Sequence, residues 1–179
     1  MNETLTKDNN KPQLIILIGM MGAGKTTIGR ALARDLKLDF LDLDHEIVRR
    51  CGVAIPTIFD IEGEEGFRRR ETAVLAEVVE QNNLVLATGG GAIMREENRA
   101  LLEKGCIIYL KAEVDELFAR IAKDTNRPLL QTENPKERLQ QLLALRHPIY
   151  QQLADITVET GSGAIATTVK KLKQALKSL

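Results

Sequence analysis

Residues 14–26, LIILIGMMGAGKT, constrain the fold more than any other part of the chain. Five consecutive apolar residues read as a strand buried on both faces, because a strand with one wet face would alternate. Gly19, Gly22 and Gly24 follow in a tight group, and then Ile28, Leu32 and Leu36 recur at helical spacing. A buried strand that turns through glycines into a helix is the first unit of an alternating α/β sheet.

The same alternation continues downstream. Residues 38–42 can form a second short strand, and Pro56 suits the first turn of a helix. Residues 64–81 predict a longer helix with Val74, Leu75 and Val78 inward. LVLA at 84–87 is a third strand, residues 95–103 a helix, and CIIYL at 106–110 a fourth strand. Val114, Leu117, Phe118 and Ile121 mark another helix, and residues 135–147 a further one. Residues 156–158 read as a last strand, and Ile165, Val169, Leu172 and Leu176 as a closing helix. The pattern predicts an α/β fold with a mainly parallel sheet, whose ligands bind beyond the carboxyl ends of the strands.

Six of the 13 glycines fall in two turns at that edge: 19, 22 and 24, and the run 89–91 after the third strand. A flexible linker rarely starts where a buried strand ends, so TGGGA at 88–92 suggests a close approach that excludes side chains. Residues 123–135 carry two prolines and no period, which predicts a functional flap. Residues 1–13 are polar, with no signal-peptide-like apolar stretch, and are expected to be a disordered lead-in to a single domain at 14–179.

Lys+Arg and Asp+Glu both total 25, which argues against a general nucleic-acid or membrane-surface binder. There is no Trp and only 3% aromatic residues, so the core should be aliphatic. Cys51 and Cys106 lack metal or redox spacing and read as small buried thiols in a reducing cytoplasm. His45 and His147 show no partner spacing and read as structural or surface groups.

GMMGAGKT fits G-x-x-x-x-G-K-[ST] in the required strand–turn–helix context. Backbone N–H groups of such a turn and the helix N-terminus point at phosphate oxygens. Lys25 supplies a charge to the β- and γ-phosphates, and Thr26 a hydroxyl to Mg²⁺. The pattern implies a nucleoside triphosphate but leaves the reaction open. A guanine-nucleotide switch is disfavoured: there is no [NT]KxD motif, and DIEG at 60–63 follows no convincing strand.

Several charges sit in unusual places. Alternation puts Asp42 and Asp44 on one side at the end of the second strand, although Asp44 also stands where a helix N-cap would. One carboxylate could face Mg²⁺ through water while the other meets a substrate hydroxyl. In the run 68–70, Arg69 and Arg70 read as solvated, whereas Arg68 leans toward the buried side. Arg146 falls on the apolar face marked by Leu139, Leu142, Leu143, Ile149 and Leu153. A buried guanidinium needs either an internal acid or an anionic ligand such as a carboxylate. Pro148 raises the prospect that the helix breaks just beyond it. Arg127, in the flap, could reach a γ-phosphate like an arginine finger.

Together these motifs resemble the shikimate kinase family, in family order: GMMGAGKTTIGR, FLDLD, FRRRE, TGGGA, NRPLL and LRHPIY. The resemblance runs from about residue 14 to the C-terminus. It implies a three-layer αβα fold of the nucleoside-monophosphate-kinase type with a five-stranded parallel sheet, and ATP-dependent phosphorylation of the shikimate 3-hydroxyl in aromatic amino-acid biosynthesis. Gly22, Ala23, Gly24, Lys25, Thr26 and Thr27 would hold ATP, with Arg120 packing on adenine and Arg127 as the lid arginine. Asp44, Arg68, Arg146 and the glycines Gly89, Gly90 and Gly91 would hold shikimate, with Asp44 as base. Lys25, Asp44 and Arg127 would be catalytic. Thr26, and Asp42 through water, would serve Mg²⁺. No contact is assigned near 161–163, which match the family poorly. The expected protein is a cytoplasmic monomer, with ATP and shikimate as partners and no nucleic acid or membrane. A kinase for another polyol acid, such as gluconate, and a nucleotide-dependent binding module without catalysis are the competing readings.

Overall fold

A computed structural model describes residues 12–122, 124 and 126–179. The lead-in expected at 1–13 therefore lies almost wholly outside the described residues, as do positions 123 and 125 of the flap.

The chain alternates as its periodicity predicts. Strands β1 (Leu14–Ile18), β2 (Asp39–Asp42), β3 (Leu84–Ala87), β4 (Cys106–Lys111) and β5 (Ile156–Glu159) form one sheet in the order β2-β3-β1-β4-β5. Every neighbouring pair is parallel. β1 lies at the centre and all five of its residues are buried, which is why its sequence does not alternate. The connecting helices are α1 (Lys25–Leu36), α2 (Leu43–Cys51), α3 (Ile55–Val78), α4 (Glu96–Leu102), α5 (Val114–Ile121), α6 (Pro135–Leu153) and α7 (Ile165–Leu176). They cover both faces, giving three layers. Short 3-10 turns occupy Ala92–Met94 and Pro128–Leu130.

Three expectations need correction. β2 stops at Asp42, and Leu43 already belongs to α2. Asp42 is the N-cap, accepting from the His45 N–H at 3.1 Å, so Asp44 neither ends the strand nor caps the helix. Pro148 does not break α6, which runs on to Leu153. The core is aliphatic apart from buried Phe67, Tyr109 and Tyr150, the two tyrosines stacking with ring centroids 4.9 Å apart. The two cysteines are free and only partly buried. Among the described residues no helix is long and apolar enough to cross a membrane.

α3 is two helices joined at Gly63, whose φ of 70° lies in the left-handed region. Its second part carries Phe67, Arg68 and Glu71 of FRRRE inward. The two glycine-rich turns follow neighbouring strands, with Leu17 opposite Ala87. Thr88 stitches them together: its N–H and hydroxyl both donate to the Leu17 carbonyl, at 3.1 and 2.9 Å.

Candidate active site

The phosphate loop spans the gap between β1 and α1. Gly24 takes φ 92° and ends the loop as the N-cap of α1, without a side-chain cap. The first-turn N–H groups of α1 are thus left for an anion. Lys25 is buried, and its Nζ donates to the carbonyls of Gly19 and Met20 at 2.7 and 2.8 Å. Burial pulls its pKa down to about 8, against the pull of Asp44. The Thr26 hydroxyl donates to Asp42 Oδ2 at 2.5 Å. Asp42 thereby caps α2 with one oxygen and fixes the threonine with the other.

A cleft of about 570 Å³ opens above these groups. It is lined by residues of the phosphate loop, by Asp42, Asp44, Gly89 and Gly90, and by Arg120 and Arg127. Arg127 Nε is paired with Asp124 at 3.0 Å. Arg120 bridges two loops, donating to the carbonyls of Gly22 at 2.8 Å and Gly161 at 3.1 Å. Beside it lies a cavity of about 360 Å³ walled by Ala23, Thr27, Thr160 and residues 161–163.

The other end of the cleft is built of charge. Asp44, Gly89, Gly90 and Arg127 also line a recess with Phe59, Phe67, Arg68, Glu71, Gly91 and Arg146. Arg68 is 8% exposed and donates to Glu71 Oε1 at 2.9 Å. Its guanidinium lies 5.2 Å from the Phe67 ring centroid. Glu71 is fully buried, and its second oxygen has no partner among the described residues. Asp44 Oδ1 is likewise buried and unpaired. Burial raises the pKa of both carboxyls; Asp42 pushes Asp44 further, while Arg68 opposes the rise in Glu71. Arg146 is 2% exposed, has no acidic partner among the described residues, and leaves Nε and Nη1 unpaired. Burial lowers its pKa. An unpaired buried guanidinium beside two partnerless carboxyl oxygens is costly unless a ligand brings a carboxylate and hydroxyls.

The triple glycine now has a physical cause. A β-carbon on Gly89 would lie 2.9 Å from Asp44 Oδ1 and 3.0 Å from Glu71 Oε2. One on Gly90 would lie 3.3 Å from Arg146 Nη1, and one on Gly91 2.8 Å from Arg68 Cζ. The close approach is made by the protein's own charged side chains.

The structure thus gathers the residues picked from sequence into two adjoining sites. Gly22, Gly24, Lys25, Thr26, Thr27, Asp42, Arg120 and Arg127 line one, with Ala23 at its back; Asp44, Gly89 and Gly90 lie between; Arg68, Gly91 and Arg146 close the other. Arg69 and Arg70 are exposed, as expected, and His45 is too. His147 pairs with the Tyr109 hydroxyl at 2.9 Å. Four residues were left unassigned. Glu71 shares the stripe of Arg68, Val74 and Val78, a carboxylate at a core-facing position. Tyr150 lies one helical turn beyond Arg146. Thr160 and Gly161 gave no signal beyond a glycine-containing turn. Among the described residues no three His, Cys, Asp or Glu side chains gather as a metal cage.

The family model described as shikimate kinase matches residues 21–177. Shikimate kinase of Bordetella pertussis is 56% identical over 165 residues, covering 92% of this chain and 78% of that protein. The structure of Acinetobacter baumannii shikimate kinase in complex with shikimate superposes with a TM-score of 0.92 at 49% identity, covering 94% of this chain and 95% of that one. A gluconokinase from Sinorhizobium meliloti shares the fold alone, with a TM-score of 0.61 and 19% identity over 94% of each chain.

Proposed function

This chain belongs to the shikimate kinase family, and on that premise we propose that it transfers the γ-phosphoryl group of ATP to the 3-hydroxyl of shikimate, in aromatic amino-acid biosynthesis. The observation that carries the acceptor assignment is Arg146, a buried guanidinium with no acid of its own. A planar carboxylate matches its fork, and Arg68 supplies the second half of the clamp. Glu71 holds Arg68 from behind.

Asp44 meets the acceptor hydroxyls. Its raised pKa makes it a better proton acceptor for the attacking hydroxyl once ionised. The N–H groups at the start of α1 and Lys25 take the nucleotide phosphates, and Lys25 leaves the loop carbonyls to do so. Arg127 leaves Asp124 and neutralises charge on the transferring group. Arg120 and the cavity at 160–163 receive the base. Residues 126–135 close over ATP and exclude water, whose attack would waste it.

Thr26 and Asp42 offer hard oxygen donors, which fit magnesium. Asp42, whose oxygens hold the Thr26 hydroxyl and the His45 N–H, would act through water. Magnesium, held there with the nucleotide, would supply positive charge against the phosphates. Use of ATP supports a cytoplasmic enzyme, and a site drawn wholly from one chain supports a monomer.

The test is coupled ADP release with Mg-ATP and a panel of hydroxy acids. Shikimate should give the highest kcat/KM; a better rate with gluconate would move the acceptor site to another polyol acid.

A further inference from the structure

We propose that Tyr150 is a positioning residue for the acceptor, its hydroxyl setting the triple-glycine turn against the Arg146 guanidinium. This rests on the assignment of that turn and Arg146 to shikimate.

Tyr150 is fully buried, and its Oη donates to the Gly90 carbonyl. Gly90 sits across the recess on the turn after β3, 60 residues away in sequence. On α6 itself, Tyr150 follows Arg146 by four residues, so the two side chains leave the same face of the helix. The Arg146 guanidinium is in turn the nearest side chain to the space beside the Gly90 α-carbon, at 3.3 Å. Tyr150, Gly90 and Arg146 therefore form a closed triangle in which one helical turn contributes both the clamp and the strut that spaces it from the turn. Tyr150 is also the side chain whose hydrogen bonding and charge oppose the lowering of the Arg146 pKa by burial.

The strut is itself braced. The phenol ring stacks on the Tyr109 ring, and its oxygen lies 3.7 Å from Met20 Sδ in the phosphate loop. Gly90 has no side chain to lock it, and a β-carbon there would lie only 3.3 Å from Met21 N, so packing cannot fix the turn from within. A hydrogen bond from outside can. Without it the Gly90 carbonyl would swing free, and the carboxylate clamp would lose its register with the hydroxyl-binding side of the recess.

The test is Tyr150→Phe, which keeps the ring and its stack but deletes the donor. Tyr109→Phe is its comparison: it removes the other hydroxyl of the same stacked pair, one that does not reach the turn. Tyr150→Phe should raise the KM for shikimate about threefold to tenfold, the range expected for one lost hydrogen bond. The KM for ATP should stay within about twofold, and Tyr109→Phe should leave both KM values near wild type. Equal rises in both KM values, or a lowered melting temperature with unchanged KM for shikimate, would overturn the proposal. A Tyr150→Phe protein that does not fold while Tyr109→Phe does would overturn it equally, assigning the hydroxyl to stability. Failure of the acceptor assignment is read separately, as wild-type ADP release that shikimate does not stimulate.

Discussion

A β-carbon on Gly91 would lie 2.8 Å from Cζ of Arg68 and 2.9 Å from its Nη1, so Gly91 is the residue that leaves room for that guanidinium. Gly91→Ala should push Arg68 off Glu71 and raise the KM for shikimate by about tenfold or more, the cost of a charge-assisted contact. ATP should bind as before. Gly90→Ala is a less selective probe, because its new methyl would also crowd Met21 N and the Gly19 carbonyl of the phosphate loop. Steady-state kinetics in both substrates check this; a Gly91→Ala enzyme with normal KM for shikimate would detach Arg68 from the clamp.

Arg146 should trade stability for binding. Arg146→Met keeps much of the volume and removes an unpaired buried cation, so the melting temperature should hold or rise. Shikimate affinity should fall by at least about tenfold, since each charge-assisted contact is worth about 1.5–3 kcal/mol. Calorimetric titration and thermal melts measure both. A large drop in melting temperature with affinity retained would make the guanidinium a structural group.

Lys25 predicts an alkaline signature. Burial depresses its pKa to about 8 from 10.5. Between those values the unfolded chain still holds the proton that the folded protein has released, so stability rises with pH across that window. Below it the burial penalty is fully present. Relative to Lys25→Met, the nucleotide-free wild type should gain up to about 3 kcal/mol on passing through the window. Denaturant titrations at pH values on either side test it; parallel curves for the two proteins would contradict it. Nucleotide phosphates restore the charged form, so ATP binding above pH 8 should take up protons.

Asp42 carries two duties that one substitution separates. Asn is also a good N-cap, so Asp42→Asn should cost less than about 0.5 kcal/mol of stability. The Mg²⁺ concentration for half-maximal turnover should rise severalfold, because the carboxylate charge is gone. An unchanged Mg²⁺ requirement with a lowered melting temperature would reduce Asp42 to a cap.

Much of this was legible in the chain because its signals are local. A buried run, a glycine turn and a helical stripe fix β1, the phosphate loop and α1 within residues 14–36. The break at Gly63 separates the helix that begins near Pro56 from the one that bears Arg68, which the sequence reads as starting at residue 64. The misreadings arose where elements meet. Strand alternation placed Asp42 and Asp44 together, but the helix begins between them, so they serve different neighbours. Pro148 lacks one N–H, yet Ile149 and Tyr150 still bury their faces, and packing carried α6 onward. Glu71 and Tyr150 stayed hidden because their surroundings, Arg68 aside, come from distant parts of the chain. Nothing in the periodicity of α6 indicates that Tyr150 reaches Gly90.

The most direct measurement is identification of the product. Shikimate incubated with Mg-ATP and the protein should yield one phosphate monoester, on the 3-hydroxyl, in amounts equal to the ADP formed. Inorganic phosphate with unchanged shikimate, or an ester on a different hydroxyl, would contradict the assignment of Asp44, Arg68 and Arg146 as the acceptor site.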